Sequence, residues 1–556
     1  MEGTRGLQDL REGDQRKAKR CASFRIDPIV VDYAKPLTEN YIYVILKESG
    51  YPQQRHVDNE RNMNRDTRSC AFCKTQASVN ARFCKKCGKP LKLSREAGSI
   101  AKPVFYKENA KQNTSMSAPS VSHFDNPSAS AATVSPDRVC AEFLHAWNGY
   151  KQYAWGHDEL KPLSKTYSDW FPTPLLMTPV DAFDTMILMG LTAEAAEAKD
   201  LILSRLDFDL DIEVQHFEVV IRILGGLISA QQLDGDPSFL ELAIDLADRM
   251  LPVFDSNTGM PYRFINLKTH KTRSRFTNPA EIGTYVLEYG TLSRLTGDPK
   301  YFDAAKRATV ALYHRRSRIG LVGTMIDVET GRWLSKDSHV GCGIDSYYEY
   351  LLKGAILFDD PELWAMWQNT IAAVNAHVAD EASGGLWYGR VNMSTGEQRA
   401  TVFGALDAFF PAVLALGEDL DRAARLEDSC YKMWTLYGIA PELLDYKNMK
   451  VVVDSYHLRP EFVESVYYLY HYTGDEKYRR MGATFFYSLV ERCKTDAGFA
   501  ALADVRAGVK TDAMESYFLA EAMKYFYLLF APPQAFDFEK VIFNTEAHPI
   551  WKKSSK

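Results

Sequence analysis

The sequence predicts an all-α fold in which paired helices close into a toroid. Three observations carry that prediction. Seven short aromatic-rich apolar runs begin at or just after a carboxylate, several close on a TGD-like turn, and another amphipathic stretch follows each such turn. A repeated helical hairpin that carries an acid at a fixed place builds a ring of acids.

Along the chain, residues 1–64 form an N-terminal segment of unassigned role, with a strand-like stretch at Tyr41-Ile-Tyr-Val-Ile-Leu46 among charged residues. Residues 65–92 read as a zinc ribbon. Cys70 and Cys73, then Cys84 and Cys87 followed by Gly88, form two CxxC knuckles separated by ten residues. Four thiolates at that spacing surround one zinc tetrahedrally, and the glycine allows the tight turn behind the second pair. Such a site is structural, because four sulfurs leave no open position. Residues 93–136 are rich in Ser, Ala, Asn and Pro, too poor in apolar area to order themselves, and read as a flexible linker.

Residues 137–551 turn aromatic and helical without interruption to about Phe530, leaving 552–556 as a tail. The runs start at Asp184, Glu218, Glu281, Asp345, Asp407, Glu461 and Glu515. Their apolar positions recur at three and four residues, which makes helices. Turns at Leu233-Asp-Gly-Asp236, Thr296-Gly-Asp298, Phe358-Asp-Asp360 and Thr473-Gly-Asp475 carry stop and N-cap signals that join paired helices. Successive acids lie about thirty to about sixty residues apart, a loose repeat whose hairpins bury their apolar faces only against neighbours. The final stretch, Ala535 to Pro549, reads as extended.

Composition narrows the function. A net charge of −6 gives no reason to expect nucleic acid or an anionic membrane as partner. Aromatic residues make up 12% of the chain, and ring faces and tyrosine hydroxyls suit carbohydrate. No run of about eighteen apolar residues offers a transmembrane segment. The first twenty residues are charged and lack a secretory signal, which together with a reduced-thiol zinc module suits the cytoplasm. The sequons at Asn113 and Asn392 matter only on a secretory route.

A carboxylate at a helix start is often only a cap or dipole partner. The alternative grows where acids share a helix face with an arginine or another acid: Glu218 with Arg222, Asp345 with Glu349, Glu461 with Glu464, and Glu515 near Glu521. Acids that outnumber nearby cations point to a cation or a sugar between them. Glycoside hydrolysis needs two carboxylates, one protonated and one ionised, and inverting enzymes hold them about 6.5–9.5 Å apart.

The stretches His145 to Ser164, Phe217-Glu-Val-Val-Ile-Arg-Ile-Leu-Gly-Gly226, Asp345-Ser-Tyr-Tyr-Glu-Tyr350, Leu458-Arg-Pro-Glu-Phe-Val-Glu-Ser465 and Phe543-Asn-Thr-Glu-Ala-His-Pro549 together resemble the class I α-1,2-mannosidases, glycoside hydrolase family 47. The resemblance implies an (α/α)7 barrel that removes terminal α-1,2-linked mannose from high-mannose glycans with inversion, using calcium. It places Glu461 as general base, with Glu218 and Asp345 at the two positions argued for the acid, Glu218 favoured as the acid and Asp345 as its partner. Thr545 matches the calcium-binding residue, and Glu464, Glu521 and Glu546 would hold waters around the ion. Arg222 and Arg459 match contacts to the acids or substrate, and Tyr517 the ring beneath the sugar. Arg459 as a structural partner of buried carboxylates and Tyr517 as core packing stay open. The resemblance also implies a secretory-pathway setting, against the N-terminal reading.

Three departures follow. Gly343 replaces an arginine that reads the glycan branch, Ala405 replaces a substrate-contacting histidine, and Ala408 opposite Cys430 removes the usual disulfide. The blocks Gly341 to Asp345 and Leu406 to Pro411 are more similar to the degradation-enhancing α-mannosidase-like branch. A lectin-like mannose-glycan module with weak or no turnover is therefore the second reading. An interaction protein organised by the zinc ribbon, with a protein partner there, is the third.

Overall fold

The computed structural model describes residues 67–69, 76–78 and 134–552. Strands Thr67–Ser69 and Gln76–Ser78 pair antiparallel, with Arg68 opposite Ala77. The four zinc-site cysteines, the strand-like stretch Tyr41 to Leu46 and nearly all of the expected linker lie outside the described residues.

From residue 136 onward, fourteen helices form seven pairs, each with an inner and an outer member. The first outer helix is α1 (Pro136–Tyr153). Pairs follow as α2 (Met177–Leu188) with α3 (Thr192–Arg205), and α4 (residues 216–234) with α5 (Pro237–Met250). Next come α6 (Val286–Thr296, led by the turn Ala280–Gly283) with α7 (Lys300–Tyr313), and α8 (Asp345–Phe358) with α9 (Pro361–His377). The last are α10 (Phe410–Leu416) with α11 (Leu420–Thr435), α12 (Glu461–Thr473) with α13 (Glu476–Cys493), and α14 (Met523–Phe530).

Each inner helix packs on the next, α2 on α4, α6, α8, α10, α12 and α14 in turn, and α14 returns to α2. The outer partner of α14 is α1, so the two ends of this region complete one pair. A β-bridge between Leu160 and Met514 ties the same seam.

The predicted turns appear with the expected chemistry. Gly235, Gly297 and Gly474 stop their helices in the left-handed conformation, at φ 85°, 76° and 65°. Asp359 takes the same role at φ 52°, where its short polar side chain lowers the cost. Asp236, Asp360 and Asp475 then cap the outer helices through backbone N–H groups of Ser238, Glu362 and Lys477.

Helical structure is not uninterrupted, however. Short antiparallel hairpins sit between pairs, as where Leu443–Asp445 meets Lys450–Val453. β-branched and leucine residues around a turn at Lys447-Asn448-Met449, with Met449 at φ 51°, favour a hairpin there over another helical turn. The expected extended end is likewise a hairpin, Val541–Phe543 with Pro549–Trp551.

Between the layers the core is heavily aromatic: Trp147, Tyr285, Tyr289, Tyr347, Tyr350 and Trp434 are all under 2% exposed. Burying a large apolar side chain contributes about 1.5–3 kcal/mol, so this layer holds the inner ring in place. Cys430 is a buried free thiol and Ala408 is buried.

Candidate active site

The inner helices present their acids at one end. Glu218 lies in the first turn of α4, Glu281 in the turn leading to α6, Asp345 at the start of α8, Asp407 in the 3-10 turn Leu406–Phe409 before α10, and Glu461 at the start of α12. Helix N-termini favour negative charge, so each acid sits where the backbone dipole supports it. About one turn further along lie Arg222, Glu288, Glu349, Glu464 and Glu521, a second tier inside the barrel. Arg222 and Glu521 fall in π-helical turns, Val220–Leu224 and Phe518–Ala522. Such turns are frequent at functional sites because the extra residue re-aims the side chains around it.

The hairpin 541–551 closes the second tier. Asn544 donates to Glu288 Oε1 at 2.9 Å, and Tyr350 donates to the same oxygen at 2.6 Å. The Thr545 N–H donates to the Tyr350 hydroxyl at 3.3 Å. Glu546 is bonded to Arg222, whose other edge meets Glu218 at 3.1 Å and which lies 3.7 Å from Asp181. His548 Nδ1 lies 2.6 Å from Asp184 and its Nε2 3.4 Å from Asp181. Lys524 pairs with Asp184 at 2.7 Å and donates to the Ala547 carbonyl at 2.6 Å. Burial opposes charge on both Asp184 and His548. Lys524 and His548 outweigh it and hold Asp184 below the usual carboxylate range, while Asp184 and Asp181 raise His548 to about 9.

Across the ring the balance is opposite. Burial, with the charges of Glu349 and Asp407, pushes Asp345 up to about 7 against the hydrogen bond from the Ser346 N–H. Burial likewise raises Glu461 to about 7 although Arg459 opposes it, and Asp345 is among the charges acting on it. Glu288 rises to about 7 through burial, despite its bonds from Tyr350 and Asn544. Glu288 Oε2 and Glu461 Oε2 are buried without a hydrogen-bond partner among the described residues. A buried carboxylate oxygen left in that state calls for a proton, a cation or a polar ligand.

Most predicted site residues therefore converge. Glu218 with Arg222, Asp345, Glu461, Glu464, Glu521 and Thr545 all line the ring or its closing hairpin. Glu464 accepts from Tyr525 at 3.3 Å, and burial raises it to about 8 against Lys353. Tyr517 is 7% exposed, with the Arg222 and Arg459 guanidiniums 5.6 and 5.8 Å from its ring and its hydroxyl donating to the His457 carbonyl. Two of these residues also have protein partners. Arg459 pairs with Glu442 at 3.1 Å, in keeping with the carboxylate-partner reading left open above, because the strand before α12 runs back beside that residue. Glu546 sits against Arg222.

The sequence reading missed Glu442, Asp181 and the buried pair Arg390 with Asp407 at 3.1 Å. A local signal existed for the last. Gly341 must be glycine, since a Cβ there would lie 1.5 Å from Asp407 Oδ1. Gly343, at φ 87°, uses the backbone freedom of glycine in the turn before Asp345.

Among the described residues no three His, Cys, Asp or Glu side chains converge to ligate a metal directly. Thr545 offers a hydroxyl and a carbonyl oxygen, and oxygen ligands suit a hard cation. Thr545 and acid-held waters would carry such an ion.

Residues 142–552 match glycosyl hydrolase family 47. Mouse ER degradation-enhancing alpha-mannosidase-like protein 2 is 38% identical over 451 residues, covering 74% of this chain and 77% of that protein. Mannosyl-oligosaccharide 1,2-alpha-mannosidase MNS1 of Arabidopsis thaliana is 34% identical over 445 residues, covering 74% and 78%. The solved α-1,2-mannosidase from Trichoderma reesei superposes with a TM-score of 0.70 at 27% identity, covering 75% of this chain and 99% of that one. With a barrel of paired helices, a ring of acids and a threonine-bearing hairpin already in place, these matches mean that the chain belongs to glycosyl hydrolase family 47.

Proposed function

We propose that this chain is an inverting, calcium-dependent α-1,2-mannosidase that trims terminal mannose from high-mannose N-glycans. The observation that carries the reading is the pair Asp345 and Glu461, two partly buried acids on the first turns of α8 and α12, the inner helices on either side of α10, each raised to about 7. General acid and base catalysts work best with proton affinities near the operating pH.

In the reaction Glu461 takes a proton from the attacking water as its oxygen bonds to the anomeric carbon. The glycosidic bond breaks on the opposite face, and an acid protonates the departing oxygen. Asp345 is the better placed of the two candidates to hold that proton, since Glu218 is tied to the Arg222 guanidinium by two hydrogen bonds of 3.1 Å. Glu218 then fixes Arg222, whose guanidinium also lies near the Tyr517 ring. Tyr517, Arg459 and Glu442 form the wall on which the sugar rests.

The residues suit calcium. Thr545 would hold it, with Glu464, Glu521 and Glu288 retaining its waters. Calcium, when bound, neutralises part of the acid ring and orients the sugar's hydroxyls. Several relatives carry the endoplasmic reticulum in their names, which favours a secretory setting over the cytoplasmic one. A structural zinc on Cys70, Cys73, Cys84 and Cys87 rests on their spacing and on the antiparallel strands that flank the first pair. Elemental analysis would then give about one zinc per chain.

The test is mannose release from a nine-mannose glycan, with and without a chelator, using Glu461→Gln as control. Calcium-dependent release that the variant loses supports the reading. Binding without release moves the protein to the lectin-like alternative, and release that persists in the variant removes Glu461 from the mechanism.

A further inference from the structure

Outside the reacting acids lies a buried charged cluster that the mechanism does not use. It joins α2, α14 and the closing hairpin through Asp181, Asp184, Lys524 and His548, all fully or almost fully buried. We infer that Lys524 and His548 are positioning residues that hold the Thr545 turn in its cation-binding form.

Three observations support this. Ala547, two residues after Thr545, lies in the left-handed region at φ 58°, a conformation a non-glycine residue holds only when its surroundings impose it. The Lys524 ammonium donates to the carbonyl of that same residue at 2.6 Å and is itself fixed by Asp184 at 2.7 Å. His548 is held at Nδ1 by Asp184, 2.6 Å away, with the Asp181 carboxylate 3.4 Å from its Nε2, and its backbone N–H donates to Asn544 Oδ1 at 2.8 Å, so it anchors the far end of the turn.

Helix α4 is shaped to receive this anchor. A Cβ at Gly225 would lie 2.6 Å from Asn544 Nδ2 and 3.1 Å from His548 Cδ2, so this glycine lets the hairpin lie against the helix, while Gly226 makes room chiefly for Val180 of α2. The turn carrying Thr545 is thus fastened at Asn544, Ala547 and His548, while Thr545 itself stays partly exposed. An ion bound there meets a turn already in place, because the order has been imposed by residues that never touch the ion. Partners of this kind usually change metal affinity by about 10–100-fold when removed.

The inference rests on the calcium reading above, and the experiment separates the two. The full chain is stripped with a chelator, and its thermal unfolding midpoint is followed as calcium alone is added back. For Lys524→Met the half-saturating calcium concentration is expected to rise about tenfold. For His548→Gln, which leaves the Lys524–Asp184 pair intact and serves if Lys524→Met does not fold, a rise of about tenfold is likewise expected. Thr545→Ala should lose the calcium response. A lowered calcium-free midpoint with an unchanged half-saturating concentration in both variants would make the cluster merely structural and overturn the inference. If the unmodified chain gains no stability from calcium, the calcium reading falls and this inference with it.

Discussion

The two sides of the acid ring solve the same electrostatic problem differently. On the Arg222 side, Asp181, Asp184, Glu218 and Glu546 share the three cations Arg222, Lys524 and His548, although burial still pushes Glu546 up to about 8 against Arg222. On the Asp345 side, Asp345 and Glu461 form no ion pair among the described residues, and burial outweighs the Arg459 charge near Glu461, so both are pushed up to about 7. Pairing ties an acid to a fixed partner, while an acid without an ion pair keeps its oxygens free for water or substrate. The difference teaches that a raised proton affinity alone does not define a catalytic carboxylate in this ring, since Glu546 has one and is held by Arg222.

The sharpest way to break the comparison is Glu461→Gln. Loss of the base should lower mannose release by about 10²–10⁴-fold, measured as kcat on an α-1,2-linked mannose disaccharide. On the other side, Arg222→Met leaves Glu218, Asp181 and Glu546 without their common cation. Breaking a buried pair costs about 3–5 kcal/mol, so calcium-free denaturant unfolding should shift by that amount. Equal stability of Arg222→Met and the unmodified chain would mean that the paired side is not held by charge.

The pH profile sharpens the contrast. With Glu461 and Asp345 both raised to about 7, release should fall in acid as Glu461 gains a proton, and in alkali as Asp345 loses one. Asp345→Asn should remove the alkaline limb. If Glu218→Gln removes that limb instead, the acid assignment reverses.

A smaller effect concerns stability. Glu461 binds its proton more tightly folded than unfolded, so its contribution is fully present below its ordinary value near 4.3 and is lost as pH rises through about 7. Glu461→Gln should therefore melt a few degrees above the unmodified chain at pH 8, with the gap closing toward about pH 4. The smallest change is Asp475→Ala, which removes the cap on Lys477 N–H and should cost about 1 kcal/mol without altering the pH profile.

Much of the ring is legible in the sequence because it is local. Glu218 and Arg222 stand one helical turn apart, and the turns at Gly235, Gly297 and Gly474 announce each outer helix. What escapes sequence reading is the part built by distance along the chain. Arg459 finds Glu442 seventeen residues back through a hairpin, and His548 finds Asp184 from 364 residues away. The seventh pair is hidden for the same reason, since its outer helix α1 precedes all the others while its inner helix α14 follows them. Asp407 resembles any helix-start acid until Gly341 and Arg390 are seen to enclose it.

That seventh pair orders events in time. Six pairs can associate as the chain is made, but the ring has a gap until α14 reaches α1, and the Thr545 hairpin emerges later still. Closure between segments this remote is the slow, high-contact-order step of folding. The nascent barrel consequently passes most of its synthesis with an apolar seam open to solvent and no assembled site, so the final few dozen residues govern both its exposure to aggregation and the moment at which it becomes active.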